Sequence, residues 1–220
     1  MAERGGTPNR LDRRKARTRA ALVRAAQAFI AQGDVNVPIL EITQAADVGL
    51  GSFYNHFDSR EHLFDAAVEE ALDQHGALLD ELTAPLDDPA EIFAQAFRLT
   101  GRLHRRHPEL SKVLLNNALT MISSAKGLAP RARRDIEAGM RTGRFTAVHD
   151  PDLSLAIAAG TTIALGHLLH EHPERDDAST TDRLAEDLLR VFGLSPAEAA
   201  EICHRPLPGL AALLDRDGSA

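Results

Sequence analysis

Glu41-Ile42-Thr43-Gln44-Ala45-Ala46-Asp47-Val48-Gly49-Leu50-Gly51-Ser52-Phe53-Tyr54-Asn55-His56-Phe57 decides how this chain is read. Ile39, Ile42 and Ala46 fall at i, i+3 and i+7, and Leu50, Phe53 and Phe57 repeat that spacing, so two short helices flank a turn at Asp47-Val48-Gly49. The second helix, expected to run about seven residues, turns Leu50, Phe53 and Phe57 inward and displays Ser52, Tyr54, Asn55 and His56. A short helix with small hydrogen-bonding side chains on its free side suits the major groove of duplex DNA.

Charge points the same way. Residues 1–60 carry a net +3, while the remainder carries −10, which together make the overall −7. From Arg10 to Arg24 there are seven basic residues and one acid, Asp12. The global acidity therefore says little about partners, because the basic charge lies where a polyanion would dock.

Around this core the punctuation is helical throughout. Residues 1–11 read as a disordered basic arm with Gly5, Gly6 and Pro8. A first helix is expected from about Asp12 to about Gln32, with Leu22, Ala26, Phe29 and Ile30 on one stripe and Gly33 as its stop. Pro38 suits the first turn of the next helix. Asp58 to Glu61 is expected to cap a fourth, running to about Leu82. Further helices are expected near residues 90–106, 109–123, 130–143, 151–170 and 181–192, and Ser195-Pro196-Ala197-Glu198 opens another. The chain is expected to be all-α, with an N-terminal three-helix helix-turn-helix DNA-binding domain joined to a larger C-terminal helical ligand-binding and dimerisation bundle. The DNA-binding domain spans 12–75 with its motif at about 38–57, and the regulatory domain spans 76–220.

Ile42-x-x-x-Ala46-x-Val48-x-x-Gly51-Ser52-Phe53-Tyr54-x-His56-Phe57-x-Ser59-Arg60-Glu61 resembles the N-terminal domain of the TetR family of bacterial transcription regulators. The resemblance covers roughly residues 14–74 and rests above all on Tyr54-x-His56-Phe57 with the following Ser59-Arg60-Glu61. Thr43, Asp47, Gly49 and Pro38 depart from the usual Ala, Gly, Ser and Thr; Asp47 tolerates the left-handed turn, and Gly49 can still cap the second helix. The resemblance implies that Tyr54, His56 and Arg60 hold phosphates, and that Leu50, Asn55 and Gln44 meet base edges. Gly51 admits close backbone approach. The full set of candidate DNA contacts is Arg13, Lys15, Arg17, Thr43, Gln44, Gly49, Leu50, Gly51, Ser52, Tyr54, Asn55, His56 and Arg60. Arg14 and Arg19 also lie on the basic helix. The bland alternative is a tri-helical structural domain with a solvated basic face.

A short recognition helix buries little surface alone, so a homodimer on a palindromic site is expected. Its candidate interface joins residues 153–170 to 181–192 through Ala156, Ala159, Gly160, Ala164, Leu168, Leu184 and Leu188, unless these are internal core. Gly166, Leu165 and Leu169 are expected on the same surface. The resemblance also implies a small-molecule effector among the middle helices, with Phe93, Phe97, Asn116, Asn117, Met121 and Phe145 as candidate lining, although ordinary core or surface is the better reading of each.

His167, His170 and His172 form a tempting cluster that a solvated helix end explains without metal. No metal or cofactor is expected. Cys203, the single cysteine, reads as a small buried side chain in a reducing cytoplasm rather than a redox sensor. Residues 153–169 carry no Asp, Glu, Lys or Arg, yet acidic flanks and Thr161, Thr162 and His167 favour a buried helix over a membrane span. The reading is thus a ligand-released repressor; a sensing module whose DNA role has lapsed comes second. An enzyme comes last, since no nucleophile–base pair, phosphate loop or paired carboxylates stand out.

Overall fold

The computed structural model describes residues 10–122 and 126–207, without the side chains of 117–122. The described residues form ten helices and no strand. The chain divides into two units, Met1–Ala71 and Leu72–Ala220. The domain boundary expected after residue 75 stands beside this division inside one helix. Most of the expected basic arm lies outside the described residues.

In the first unit, α1 (Arg10–Ala31) buries Leu22, Val23, Ala25, Ala26 and Ile30. It stops where Gly33 takes φ 78° and its N–H donates to the Ile30 carbonyl at 2.9 Å, the left-handed termination that Gly33 implied. α2 (Ile39–Ala45) starts directly after Pro38, which serves as the extended cap rather than the first turn. Asp47 then adopts φ 53°, the only positive-φ non-glycine among the described residues. Val48 N–H returns to the Thr43 carbonyl at 3.0 Å, which closes the turn. α3 (Leu50–Phe53) is shorter than expected, because hydrogen bonds from His56 and Phe57 N–H both land on the Phe53 carbonyl and wind residues 54–57 into a turn.

α4 (Arg60–Thr83) begins in the first unit and ends in the second. Its capping group is Ser59, whose Oγ accepts from His62 N–H at 3.1 Å; Asp58, expected to cap, is exposed and pairs with His62 instead. Leu63, Phe64, Ala67 and Val68 complete the first unit's core, and Gln27 Nε2 donates to the Ala67 carbonyl at 3.1 Å.

The second unit packs α5 (Pro89–Arg106), α6 (Pro108–Ile122), α7 (Ala129–Arg141), α8 (Pro151–Glu171), α9 (Asp177–Val191) and α10 (Pro196–His204) with the end of α4. Side chains of Asp88, Asp150, Asp176 and Ser195 accept N–H bonds at the starts of α5, α8, α9 and α10. Each such cap contributes about 1 kcal/mol. Phe93, Phe97, Phe145 and Phe192 meet in the core, with Phe93–Phe192 and Phe145–Phe192 centroids each 5.0 Å apart. Ion pairs bind the outer helices to that core. Arg98 and Arg102, both nearly buried, reach Asp182 at 2.9 and 2.8 Å, and Arg144 joins Asp88 and Glu198. The hydrogen bonds from the two arginines outweigh the burial that would raise the Asp182 carboxyl, holding it below the usual range.

α8 is long and apolar enough to cross a membrane by length and composition alone, with a mean hydropathy of 1.4 in its most apolar window. One side packs inward through Leu155, Ala158, Leu165 and Leu169. The other leaves Leu153 and Ile157 exposed beside Ala156, Gly160 and Ala164.

Candidate nucleic-acid interface and a buried polar cluster

The solvent side of the helix-turn-helix carries Gln44, Gly49, Leu50, Gly51, Tyr54 and Asn55, all exposed, with Ser52 and His56 half-buried. Phe53 and Phe57 are the anchors beneath them. They are 0% and 1% exposed, with centroids 5.9 Å apart, so the short helix is fixed from below. Tyr54 stands edge-on to Phe53 at 5.2 Å with 59% of its surface exposed, which leaves its hydroxyl at the solvent side. A Cβ added at Gly51 would meet nothing within 4 Å. Nothing in the domain itself therefore requires glycine there.

Two expectations are corrected. Leu50 is 46% exposed and is not an inward anchor, because the helix ends early and its first residue stands clear of the core. Thr43 is 1% exposed and its hydroxyl donates to the Leu40 carbonyl at 2.8 Å, so it is a core residue rather than a DNA contact. Spacing placed both residues on the correct helices but not their burial.

Basic groups gather at one flank. Arg19 Cζ lies 5.3 Å from the Phe57 ring centroid. Burial and then the charges of Lys15 and Arg19 hold the His56 imidazole below the ordinary histidine range. Arg60 leans on Glu61, with Nη2 2.8 Å from Oε1, at the start of α4. Arg13, Lys15 and Arg17 are exposed along α1.

The second unit holds a further concentration of polar groups that sequence reasoning missed. Arg131 of α7 donates to Asp80 at 2.8 Å, to Asp73 at 2.7 Å and to the Gly127 carbonyl at 2.6 Å. Arg134 reaches Asp80 and Asp135, each at 2.9 Å. Asp135 is 7% exposed, and burial pushes its carboxyl above the usual range against the pull of Arg134. Asp80 is also penalised by burial, but hydrogen bonds from Arg131 and Arg134 keep it low. A Cβ at Gly76 would lie 2.7 Å from Arg131 Nη1, so the bare α4 backbone is what lets the guanidinium settle there. The available signals were Gly76 inside a helical pattern and the dense Arg131-Ala132-Arg133-Arg134-Asp135 run.

Of the expected effector lining, Phe93, Phe97 and Phe145 come together, but they pack on one another and on Phe192 in the core. Asn116 is exposed, while the side chains of Asn117 and Met121 lie outside the described residues. Of the expected dimer surface, Ala156, Gly160 and Ala164 are exposed, and Ala159, Leu168 and Leu184 are half-buried. Leu188 is a correction: it is 4% exposed within the unit's own core. Leu165, Gly166 and Leu169 also face inward, Gly166 making room for His104.

The histidines at the end of α8 do not converge. His170 Nε2 meets Ser111 Oγ at 2.9 Å, His172 pairs with Glu174, and His167 is exposed. Among the described residues no three His, Cys, Asp or Glu side chains are grouped to hold a metal ion. Cys203 is fully buried, and burial pushes its thiol up to about 12.

The sequence matches two family models. Residues 21–67 match the bacterial regulatory proteins of the tetR family, and residues 88–205 match the tetracyclin repressor-like C-terminal domain. No curated protein matches the chain. Among solved structures, RolR in complex with resorcinol shares 36% identity over 90% of this chain and 98% of its own, with a TM-score of 0.71. RolR without ligand gives 35% identity over 87% and 99%, with a TM-score of 0.67. The fatty acid degradation regulator FadR from Bacillus halodurans, at 18% identity over 78% and 94% and a TM-score of 0.62, shares the fold.

Proposed function

The chain belongs to the tetR family of transcription regulators, and from that premise we propose that it is a homodimeric repressor that leaves a palindromic operator when a small phenolic effector binds. The observation that carries the DNA-reading part is the split of the helix-turn-helix into buried anchors and an exposed polar side. Phe53 and Phe57 fix the helix, while Tyr54, Asn55 and Gly51 stand free beside basic groups of α1. Tyr54, His56 and Arg60 position the backbone, and Asn55 and Gln44 read adenine edges. Leu50, exposed rather than buried, is available to a thymine methyl.

The stripe of Leu153, Ala156, Ile157, Gly160 and Ala164 supports the dimer. Small residues allow close helix approach, while Leu153 and Ile157 supply apolar area. Val191 of α9, 53% exposed, extends that surface in place of Leu188.

The cluster of Asp80, Arg131, Arg134 and Asp135 is the proposed effector site. RolR is a relative whose structure contains resorcinol. A dihydroxybenzene offers two O–H groups to carboxylates and two oxygens to guanidiniums, which suits this mixed set of donors and acceptors. Engagement of Asp80 or Arg131 alters what holds the second half of α4, the helix whose first half belongs to the DNA-reading unit.

The test is fluorescence anisotropy on DNA flanking the gene that encodes the chain, with resorcinol titrated into the complex. Binding that resorcinol reverses in the wild type, and fails to reverse in Arg131→Gln and Asp135→Asn, is expected. Tight binding that resorcinol leaves unchanged would remove the phenolic effector from the proposal, and no binding would remove the repressor.

A further inference from the structure

The two guanidiniums between α4 and α7 have each been left with one open edge. Arg131 gives Nε–H to Asp80 at 2.8 Å, and its Nη1 serves both Asp73 at 2.7 Å and the Gly127 carbonyl at 2.6 Å. Its Nη2 donates to nothing among the described residues. Arg134 repeats the pattern: Nε and Nη2 go to Asp135 and Asp80, and Nη1 has no partner among the described residues. Asp135 accepts through Oδ1 alone, which leaves Oδ2 for a donor. Asp73 stands two turns before Asp80 on the same side of α4, and the bare backbone of Gly76 between them admits the Arg131 guanidinium. The Arg131 hydrogen bond outweighs the burial that opposes it and holds the Asp73 carboxyl below the usual range, so Asp73 is charged at neutral pH.

We infer that Asp73 is a specificity residue of this cluster: it aims the open edge of Arg131 and makes the cluster accept neutral hydroxylated ligands in preference to carboxylates. This rests on the effector reading above and adds to it the charge of the ligand. Arg131 and Arg134 already face three carboxyls, those of Asp73, Asp80 and Asp135, so their charge is met before a ligand arrives. A neutral phenol suits what is left. Its oxygen accepts from Arg131 Nη2 or Arg134 Nη1, and its proton goes to Asp135 Oδ2. A carboxylate gains most from a guanidinium that has no counter-charge, and here it would also meet the repulsion of the carboxyls. Exposed Lys126 is the further charge acting on Asp73, and solvent screens it. Among the three acids Asp73 can be altered with the least disturbance. Asp80 holds both arginines and Asp135 is nearly buried, whereas Asp73 pairs with Arg131 alone and its side chain is 43% exposed.

The experiment is calorimetric titration of the full chain with two probes, resorcinol and 3-hydroxybenzoate, which share a ring and differ by a hydroxyl against a carboxylate. Wild type, Asp73→Asn, Asp73→Ser and Asp73→Glu are compared, with thermal unfolding recorded for each. Wild type is expected to prefer resorcinol by at least about tenfold. A like charge at a partly exposed site weakens a bound anion by about tenfold, so both neutral variants should narrow the preference by about that factor. Asp73→Glu should restore most of it, since the charge returns. The ratio of the two affinities is the readout, because a variant that merely loosens the fold weakens both probes together. An unchanged ratio in Asp73→Asn and Asp73→Ser, or affinities that fall by the same factor, overturns the role of Asp73 and leaves the effector site standing. Wild type that binds 3-hydroxybenzoate as tightly as resorcinol overturns the selectivity. Wild type that binds neither probe overturns the effector reading and this inference with it.

Discussion

At the residue scale, Thr43 and Gly51 make the contrast between folding and reading testable. Thr43 is sealed in the core by a hydroxyl bond to Leu40, so Thr43→Val should cost about 1 kcal/mol of stability and leave the preferred DNA sequence unchanged. Gly51 faces open space, so Gly51→Ala should leave the melting temperature unchanged or raise it, as alanine favours helix by up to about 1 kcal/mol. The same variant should bind DNA at least about tenfold more weakly, because the methyl group meets an approaching backbone. Thermal denaturation beside anisotropy measures both; weaker stability with unchanged DNA affinity would reverse the assignment of Gly51. His104 offers a pH prediction. It is 2% exposed with Nδ1 2.7 Å from Ser111 Oγ, and burial lowers its pKa to about 4. The fold therefore holds the neutral ring, and the unfolded chain binds the extra proton. Its contribution is complete above about pH 6.5 and is lost as pH falls toward 4, on the order of a few kcal/mol. His104→Gln should flatten that part of the stability profile, measured by denaturant unfolding at several pH values.

At the scale of elements, the starts and stops were legible because single residues dictate them. Gly33 ends α1 through its left-handed backbone, Pro151 follows the cap Asp150, and Ser195 bonds Glu198 N–H. Orientation was less legible. Spacing groups Leu50 with Phe53 and Phe57, but α3 ends at Phe53 and its first residue stands clear of the core, and the spacing along α9 does not distinguish a side that meets the unit's own core, as Leu188 does, from one that meets a partner. The α4–α7 cluster escaped for a different reason. Arg131 and Asp80 are 51 residues apart in the chain, and no local rule links them. That cluster predicts that Gly76→Ala displaces Arg131, since a Cβ there falls 2.7 Å from its guanidinium. The variant should keep DNA affinity and lose most of its response to resorcinol, read as the ligand-induced rise in melting temperature. For α8, Gly160→Glu places a charge in open space on the exposed stripe. It should leave helix content intact and shift sedimentation from dimer to monomer; an unchanged dimer would move the interface elsewhere.

At the scale of the whole molecule, a −7 chain is expected to bind a polyanion because its charge is segregated rather than because of its sum. The basic residues of α1 stand beside the helix-turn-helix, and the acidic surplus lies in the remainder of the chain, from Glu61 onward. The family string made the helix-turn-helix and its buried anchors Phe53 and Phe57 legible, whereas the second unit could be read only as helices, since its side-chain clusters are brought together from distant segments. The central claim is that two copies of one chain read two half-sites. Selection of the full chain against a pool of random DNA duplexes tests it most directly. The account predicts enrichment of an inverted repeat with half-sites about one helical turn or a multiple of it apart, bound by two protomers. Enrichment of a single unrepeated site, or of no sequence at all, would contradict it.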